Sequence, residues 1–296
     1  MKISILTSYY KNIKYLSYFL NNLDKQTIFD KIEIIIDHNK PTKQEIKLIK
    51  KFQQQYPNKL VHLISKKVVP YGVSINRCIN ASRGSYLAIW NIDDARTPNS
   101  LELQYNAIKN KKVSFVYGNF KIVKELGSIS GKEVDVGRYD ENELLISMII
   151  GPFFMFRKNI CNKIGYYDEQ LISGSDFDFA IKMALVSKGK KILNNLGYYL
   201  NAEKGLSTKK NTTQGIESSL IYLRYGIFEK FNHNSIFEIM KYEIKSTKYQ
   251  NKYIPMNKYF KNYNAFIVKK LLYHNKNISF FKKLNNSLKI IKRKLQ

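Results

Sequence analysis

Tyr86-Leu87-Ala88-Ile89-Trp90-Asn91-Ile92-Asp93-Asp94 is an apolar run of strand length that ends in two adjacent carboxylates. A short run that is apolar on both faces suits a strand inside a parallel sheet. Ligands of open α/β sheets gather at the carboxyl ends of such strands. Two neighbouring carboxylates repel each other unless a cation or a hydroxyl-bearing ligand satisfies them. A hard divalent cation, Mn2+ or Mg2+, held by few protein oxygens and by the phosphates of a substrate, suits the pair. The same residues also suit the cap of a helix starting near Pro98, and alone they leave both readings open.

Working outward, the first two hundred residues alternate β-branched apolar runs with amphipathic stretches, the pattern of a mostly parallel sheet covered by helices. Strands are expected at Lys2 to Thr7, Ile32 to Asp37, Leu60 to Ser65, Tyr86 to Trp90 and Ser114 to Tyr117. Tyr15, Leu16, Phe19, Leu20 and Leu23 recur at helical spacing, and Lys43 to Tyr56 and Val73 to Ser82 read as further crossover helices. The segment Gly127 to Gly137 is rich in Gly, Ser and Lys and reads as a mobile loop. A helix over Glu141 to Ile149, a strand over Pro152 to Arg157 and a helix over Asp176 to Ser187 follow.

The 296 residues and 44% hydrophobic content suffice for one large α/β domain with an appendage. Two cysteines, Cys78 and Cys161, have no companions at metal-ligand spacing, which argues against a zinc site or a disulfide framework. The four histidines read as structural or solvent-exposed. The start of the chain lacks a signal-peptide run, and Leu144 to Phe156 is broken by Gly151-Pro152 before it reaches a membrane span. A soluble, cytoplasmic chain is expected. No glycine-rich phosphate loop is present.

Several segments in order resemble the family 2 glycosyltransferases, which have a GT-A fold. Ile3-Ser4-Ile5-Leu6-Thr7-Ser8-Tyr9-Tyr10 is similar to their first strand and donor loop, and Glu33-Ile34-Ile35-Ile36-Asp37 to their second strand and its acid. Asn76 through Gly84-Ser85-Tyr86 resembles the stretch before the metal-site strand, and Asn91-Ile92-Asp93-Asp94 stands in the place of the Asp-x-Asp motif. Gly151 to Lys158 and Ile164-Gly165-Tyr166-Tyr167-Asp168-Glu169 resemble the acceptor-side segments, and Ser173 to Phe179 the segment that carries the base. Gly205-Leu206-Ser207 resembles a Gly-Leu-Ser found in some members, so the likeness covers about residues 1 to 210.

The resemblance implies a GT-A domain over residues 1–210; beyond it, residues 211–296 read as a basic, mainly helical region rich in Lys, Tyr, Phe and Asn. The resemblance also implies Asp94 as metal ligand, Asp93 on the ribose or the metal, Thr7, Tyr9 and Asp37 around the nucleobase, and Asn76 orienting the donor. Asp176 is then the general base of an inverting transfer from a nucleotide-sugar, a UDP-sugar being favoured, to a hydroxyl of a glycan or lipid-linked glycan. For Asp176 and Asp178 a helix N-terminus is the competing role, and Asp178 suits it better. There are departures: Asp37-His38-Asn39-Lys40 replaces Asp-Asp-Gly-Ser, Ser175 replaces an acid, and Ile75 stands where an Arg often does. The loss of the acid at Ser175 also leaves a catalytically dead homologue open.

The formal charge is +27, and from Lys204 to Gln296 there are 20 Lys/Arg against 4 Glu. A surface this basic meets polyanions or tolerates self-repulsion. The lysine-rich end, interleaved with Tyr259, Phe260, Tyr273, Phe280 and Phe281, suits an anionic membrane surface or a solvated face. The competing reading of the chain is a non-catalytic binder of nucleic acid or anionic membrane on the same fold. It lacks an aromatic RNA-binding motif or a recognition helix.

Overall fold

The computed structural model describes residues 2–109, 112–140, 143–144, 147–201, 212–225, 230, 232, 235–239, 243–245 and 253–255. The strands are β1 (Ile3–Tyr9), β2 (Ile32–Asn39), β3 (Leu60–Ser65), β4 (Tyr86–Ile89), β5 (Ala95–Arg96), β6 (Phe115–Val123), β7 (Lys132–Val134), β8 (Phe154–Arg157) and β9 (Gly189–Leu200). The helices among them are α1 (Ile13–Leu23), α2 (Lys43–Gln55), α3 (Tyr71–Ala81), α4 (Ser100–Ile108), the single turn α5 (Cys161–Ile164) and α6 (Ser175–Val186). By its internal contacts the chain divides into Met1–Asn211 and Thr212–Gln296. The second unit contains α7 (Thr212–Tyr225), α8 (Ile236–Ile239) and an antiparallel ladder of β10 (Glu243–Lys245) with β11 (Tyr253–Pro255). The aromatic residues singled out near the end of the chain lie outside the described residues.

The period-two alternation of strand side chains builds the first unit. Ile3, Ile5, Ile34, Ile36, Ala88 and Met155 join one core cluster, with Leu16, Phe19 and Leu20 of α1, Ile49 of α2 and Leu101 of α4. Their neighbours Leu6, Ile35, Leu87, Ile89, Phe154 and Phe156 join a second cluster, with Ile75 and Ile79 of α3 and Phe179 and Met183 of α6. A sheet buried on both faces needs strands that are apolar throughout, and every residue of β2 is buried.

The sheet order is β3-β2-β1-β4-β8-β6-β9-β5, with β7 added beside β6. β1 pairs in parallel with β2 and β4, and β2 with β3. The reversed strand β8 separates β4 from β6. The segment expected as a mobile loop holds β7, antiparallel to β6. Gly131 permits that return, since a Cβ there would lie 2.1 Å from the Ile122 carbonyl oxygen. Within Glu141 to Ile149, residues 141, 142, 145 and 146 lie outside the described residues; Leu144 N donates to Asp140 O at 3.1 Å and Ser147 N to Glu143 O at 2.9 Å, as in a helical turn.

Candidate active site

The parallel strands β1, β2 and β4 end on the same edge, where Tyr10, Lys40 and Asn91 leave the sheet. Beyond β4 the chain turns tightly: Asp94 N donates to Asn91 O at 3.2 Å and the Trp90 indole N–H donates to Asp94 O at 3.0 Å. The turn presents two carboxylates with different surroundings. Asp93 is half-buried, whereas Asp94 is 1% exposed. Asp94 Oδ1 accepts from Leu200 N of β9 at 3.1 Å, and Oδ2 accepts from Asn91 Nδ2 at 3.1 Å. Burial raises the pKa of both acids, and the Asp93 charge raises that of Asp94 further.

The acidic pair fits a divalent cation. Its charged form is disfavoured by burial and by self-repulsion, which a cation relieves, and carboxylate oxygens with one hydrogen bond each keep lone pairs for a ligand. Among the described residues no three His, Cys, Asp or Glu side chains gather as metal ligands. Asp93 and Asp94 therefore supply at most two protein ligands, and substrate oxygens would complete the shell, as is common for Mg2+.

Two further side chains, absent from the sequence expectations, shape this end of the sheet. Arg96 is fully buried behind the pair: Nη1 donates to Ser100 Oγ at 2.8 Å and Gln104 Oε1 at 2.7 Å, and Nη2 to Ile89 O at 2.7 Å. Burial lowers its pKa to about 9, against the opposing pull of Asp94. Tyr71 opens α3, and its hydroxyl donates to Asn91 Oδ1 at 3.4 Å. Burial raises the Tyr71 pKa well above its usual value, and the charges of Asp176, Asp94 and Asp93 add to that. The charges of all three carboxylates thus act on one phenol. The only sequence signals were an Arg two residues after the acidic pair and a Tyr at a helix start after Pro70.

Asp176 lies half-buried in the first turn of α6, with Phe177 N donating to its Oδ1 at 2.8 Å. Asp178 is fully buried, and Lys182 Nζ lies 2.7 Å from its Oδ2. The two acids expected at this helix start thus separate into one that solvent can reach and one locked in an ion pair.

The residues expected around the donor are placed differently. Thr7 is buried, with its hydroxyl donating to Trp90 O at 2.9 Å. Tyr9 is 0% exposed, because its ring packs on the same sheet face as Ile3 and Ile5 and its hydroxyl donates to Glu45 Oε1 at 2.6 Å. Tyr9, expected around the nucleobase, thus has its ring in the core, and the next residue, Tyr10, is 43% exposed at the strand end. Asp37 is enclosed: Ser74 Oγ donates to its Oδ2 at 2.6 Å and Arg77 Nη1 lies 2.9 Å from its Oδ1. Asn76 clamps the 167–169 loop, donating to Tyr167 O and Glu169 Oε1 at 2.9 Å each and accepting from Tyr167 N at 2.9 Å. Both its N–H groups are used in joining α3 to that loop.

His38 Nδ1 and His62 Nε2 are 3.1 Å apart, with His38 Nε2 3.3 Å from Glu45 Oε2. Burial pushes the His62 pKa down to about 4 and lowers that of His38. The two imidazoles join β2 and β3 to Glu45 of α2, which also accepts from Tyr9 of β1.

The sequence model of the family described as "Glycosyl transferase family 2" matches residues 4–165. The chain belongs to glycosyl transferase family 2. Among curated relatives, an uncharacterized glycosyltransferase of Methanocaldococcus jannaschii is 29% identical over 186 residues, 60% of this chain and 62% of the relative. Chondroitin synthase of Pasteurella multocida is 24% identical over 295 residues, 96% of this chain and 30% of the synthase. This family 2 chain spans less than two thirds of the length of either. Among solved structures, S. aureus TarS 1-349 in complex with UDP-GlcNAc has a TM-score of 0.63 at 18% identity, covering 78% of this chain and 66% of TarS. Mannosyltransferase PcManGT from Pyrobaculum calidifontis, in complex with GDP-Man and Mn2+, has a TM-score of 0.56 at 13% identity, covering 90% and 69%. At such identities the likeness shows the shared fold, the mostly parallel GT-A sheet between helices.

Proposed function

We propose that this family 2 chain transfers a sugar from a nucleotide-sugar, a UDP-sugar being favoured, to a hydroxyl of a glycan acceptor with inversion at the anomeric carbon. The observation that carries it is the acidic pair in the turn after β4, half-buried Asp93 beside buried Asp94, at the carboxyl edge of the sheet. UDP-GlcNAc in TarS and GDP-Man with Mn2+ in PcManGT support a nucleotide-sugar and a divalent cation. A surface glycan, as in a capsule, lipopolysaccharide or glycoprotein, fits the relation to chondroitin synthase. We place the protein in the cytoplasm, peripheral on the inner face of the membrane through its basic end.

Asp94 and Asp93 would hold Mn2+ or Mg2+, which when bound offsets charge on the departing diphosphate. Asp176, half-buried in the first turn of α6, removes the acceptor proton as the hydroxyl oxygen attacks C1. The bond from C1 to the diphosphate oxygen breaks on the opposite face, and the nucleoside diphosphate leaves with that electron pair. Arg96, buried and hydrogen-bonded, offsets part of the carboxylate charge when no ligand is bound.

The experiment is transfer and thermal stability with UDP-, GDP- and dTDP-sugars, with and without Mn2+. A matching donor raises Tm in the presence of the metal. Asp176→Asn is expected to lower kcat by about 10²–10⁴-fold while keeping that shift, and Asp94→Asn to lose both. Unchanged turnover in both variants sinks the assignment.

A further inference from the structure

We propose that the groove between α1 and α2 is a docking surface for anionic lipid headgroups, through which the first unit lies on a negatively charged membrane. The groove has a volume of about 1260 Å³. Lys14, Lys43, Lys47, Lys50 and Lys51 line it, and no carboxylate does. All five lysines are exposed, and none is in an ion pair among the described residues. α1 contains no acid, and the single acid of α2, Glu45, is turned inward to Tyr9 and Thr42. Lys43, Lys47 and Lys51 follow one another at i, i+4, an arrangement that destabilises a helix unless an anion meets it.

Ile13, Tyr18, Ile46 and Leu126 also line the groove. Ile13 is 42% exposed at its mouth. Lysines around an apolar floor let the stems lie on hydrocarbon while the ammonium groups meet phosphate. A soluble polyanionic glycan or a nucleic acid has charge for the rim and no hydrocarbon for the floor. Charge also excludes occupants from this chain: residues 204 to 296 hold 20 Lys/Arg against 4 Glu, and a second copy carries +27. No helix among the described residues is long and apolar enough to cross a membrane.

The test uses the full chain without donor, so its outcome is independent of the glycosyl-transfer reading. Flotation with phosphatidylglycerol and phosphatidylcholine vesicles compares wild type, a groove variant (Lys43→Gln, Lys47→Gln, Lys50→Gln and Lys51→Gln) and a tail variant (Lys289→Gln, Lys292→Gln and Lys294→Gln). Binding to phosphatidylglycerol is expected to weaken about tenfold or more in the groove variant and less in the tail variant, with Tm unchanged. Ile13→Trp is expected to blue-shift its emission on phosphatidylglycerol vesicles and not with heparin or inorganic phosphate. A groove variant that floats like wild type overturns the proposal. So does an Ile13→Trp emission that does not move on vesicles, or that moves equally with heparin or phosphate.

Discussion

Asp94 carries one hydrogen bond that holds the end of β9, a second from Asn91 within its own turn, and a charge that its burial opposes. Its folded pKa lies above the unfolded 3.8, so the folded state binds the proton more tightly. The stability this gives is full below pH 3.8 and is lost as pH rises through the raised value. In EDTA, Asp94 is therefore expected to lower Tm progressively as pH is raised from about 4, and Asp94→Asn to flatten that dependence. Addition of Mn2+ to the wild type should recover part of the loss, because the cation binds the folded state. Calorimetry across this range checks it; equal slopes for wild type and Asp94→Asn would remove the electrostatic argument for a cation at this pair.

At the scale of elements, Asn76 ties α3 to the loop that leads towards α6, and Tyr71 and Asp176 stand at the starts of those two helices. Asn76→Ala leaves Tyr167 N and O buried without this partner. A cost of about 1–3 kcal/mol is expected, read as a lower urea midpoint, with catalysis reduced because the two helix starts lose their common brace. A variant as stable as wild type would return Asn76 to the donor site. The elements themselves were legible where one period dominates: β1 to β4 are apolar β-branched runs, and α1 shows its stripe. β7 was hidden, because Lys132, Glu133 and Val134 have little apolar signal and depend on Gly131 to approach β6. The burial of Tyr9 was legible too, since its parity with Ile3 and Ile5 already directs its ring into the core. Pairs such as Asp37 with Arg77 and Asp94 with Leu200 join residues 40 and 106 positions apart, and no local pattern announces them.

At the scale of the whole molecule, the acids, the family match and both core clusters all fall before residue 201, while much of the charge falls after it. Composition made that asymmetry visible from the start. The clusters together use buried residues from Ile3 to Leu196 only. A fragment ending at Asn211 therefore keeps every member of both, together with Leu200, whose N–H anchors Asp94. It is expected to unfold in one cooperative urea transition and to retain the Mn2+-dependent shift with a nucleotide-sugar. A fragment ending at Lys190 loses most of β9, and with it the partner of β5, the parallel neighbour of β6 and the anchor of Asp94. It is expected to show neither property. If the longer fragment also fails to unfold cooperatively, the core of the first unit depends on residues beyond 211, and the division at that point is not one of folding.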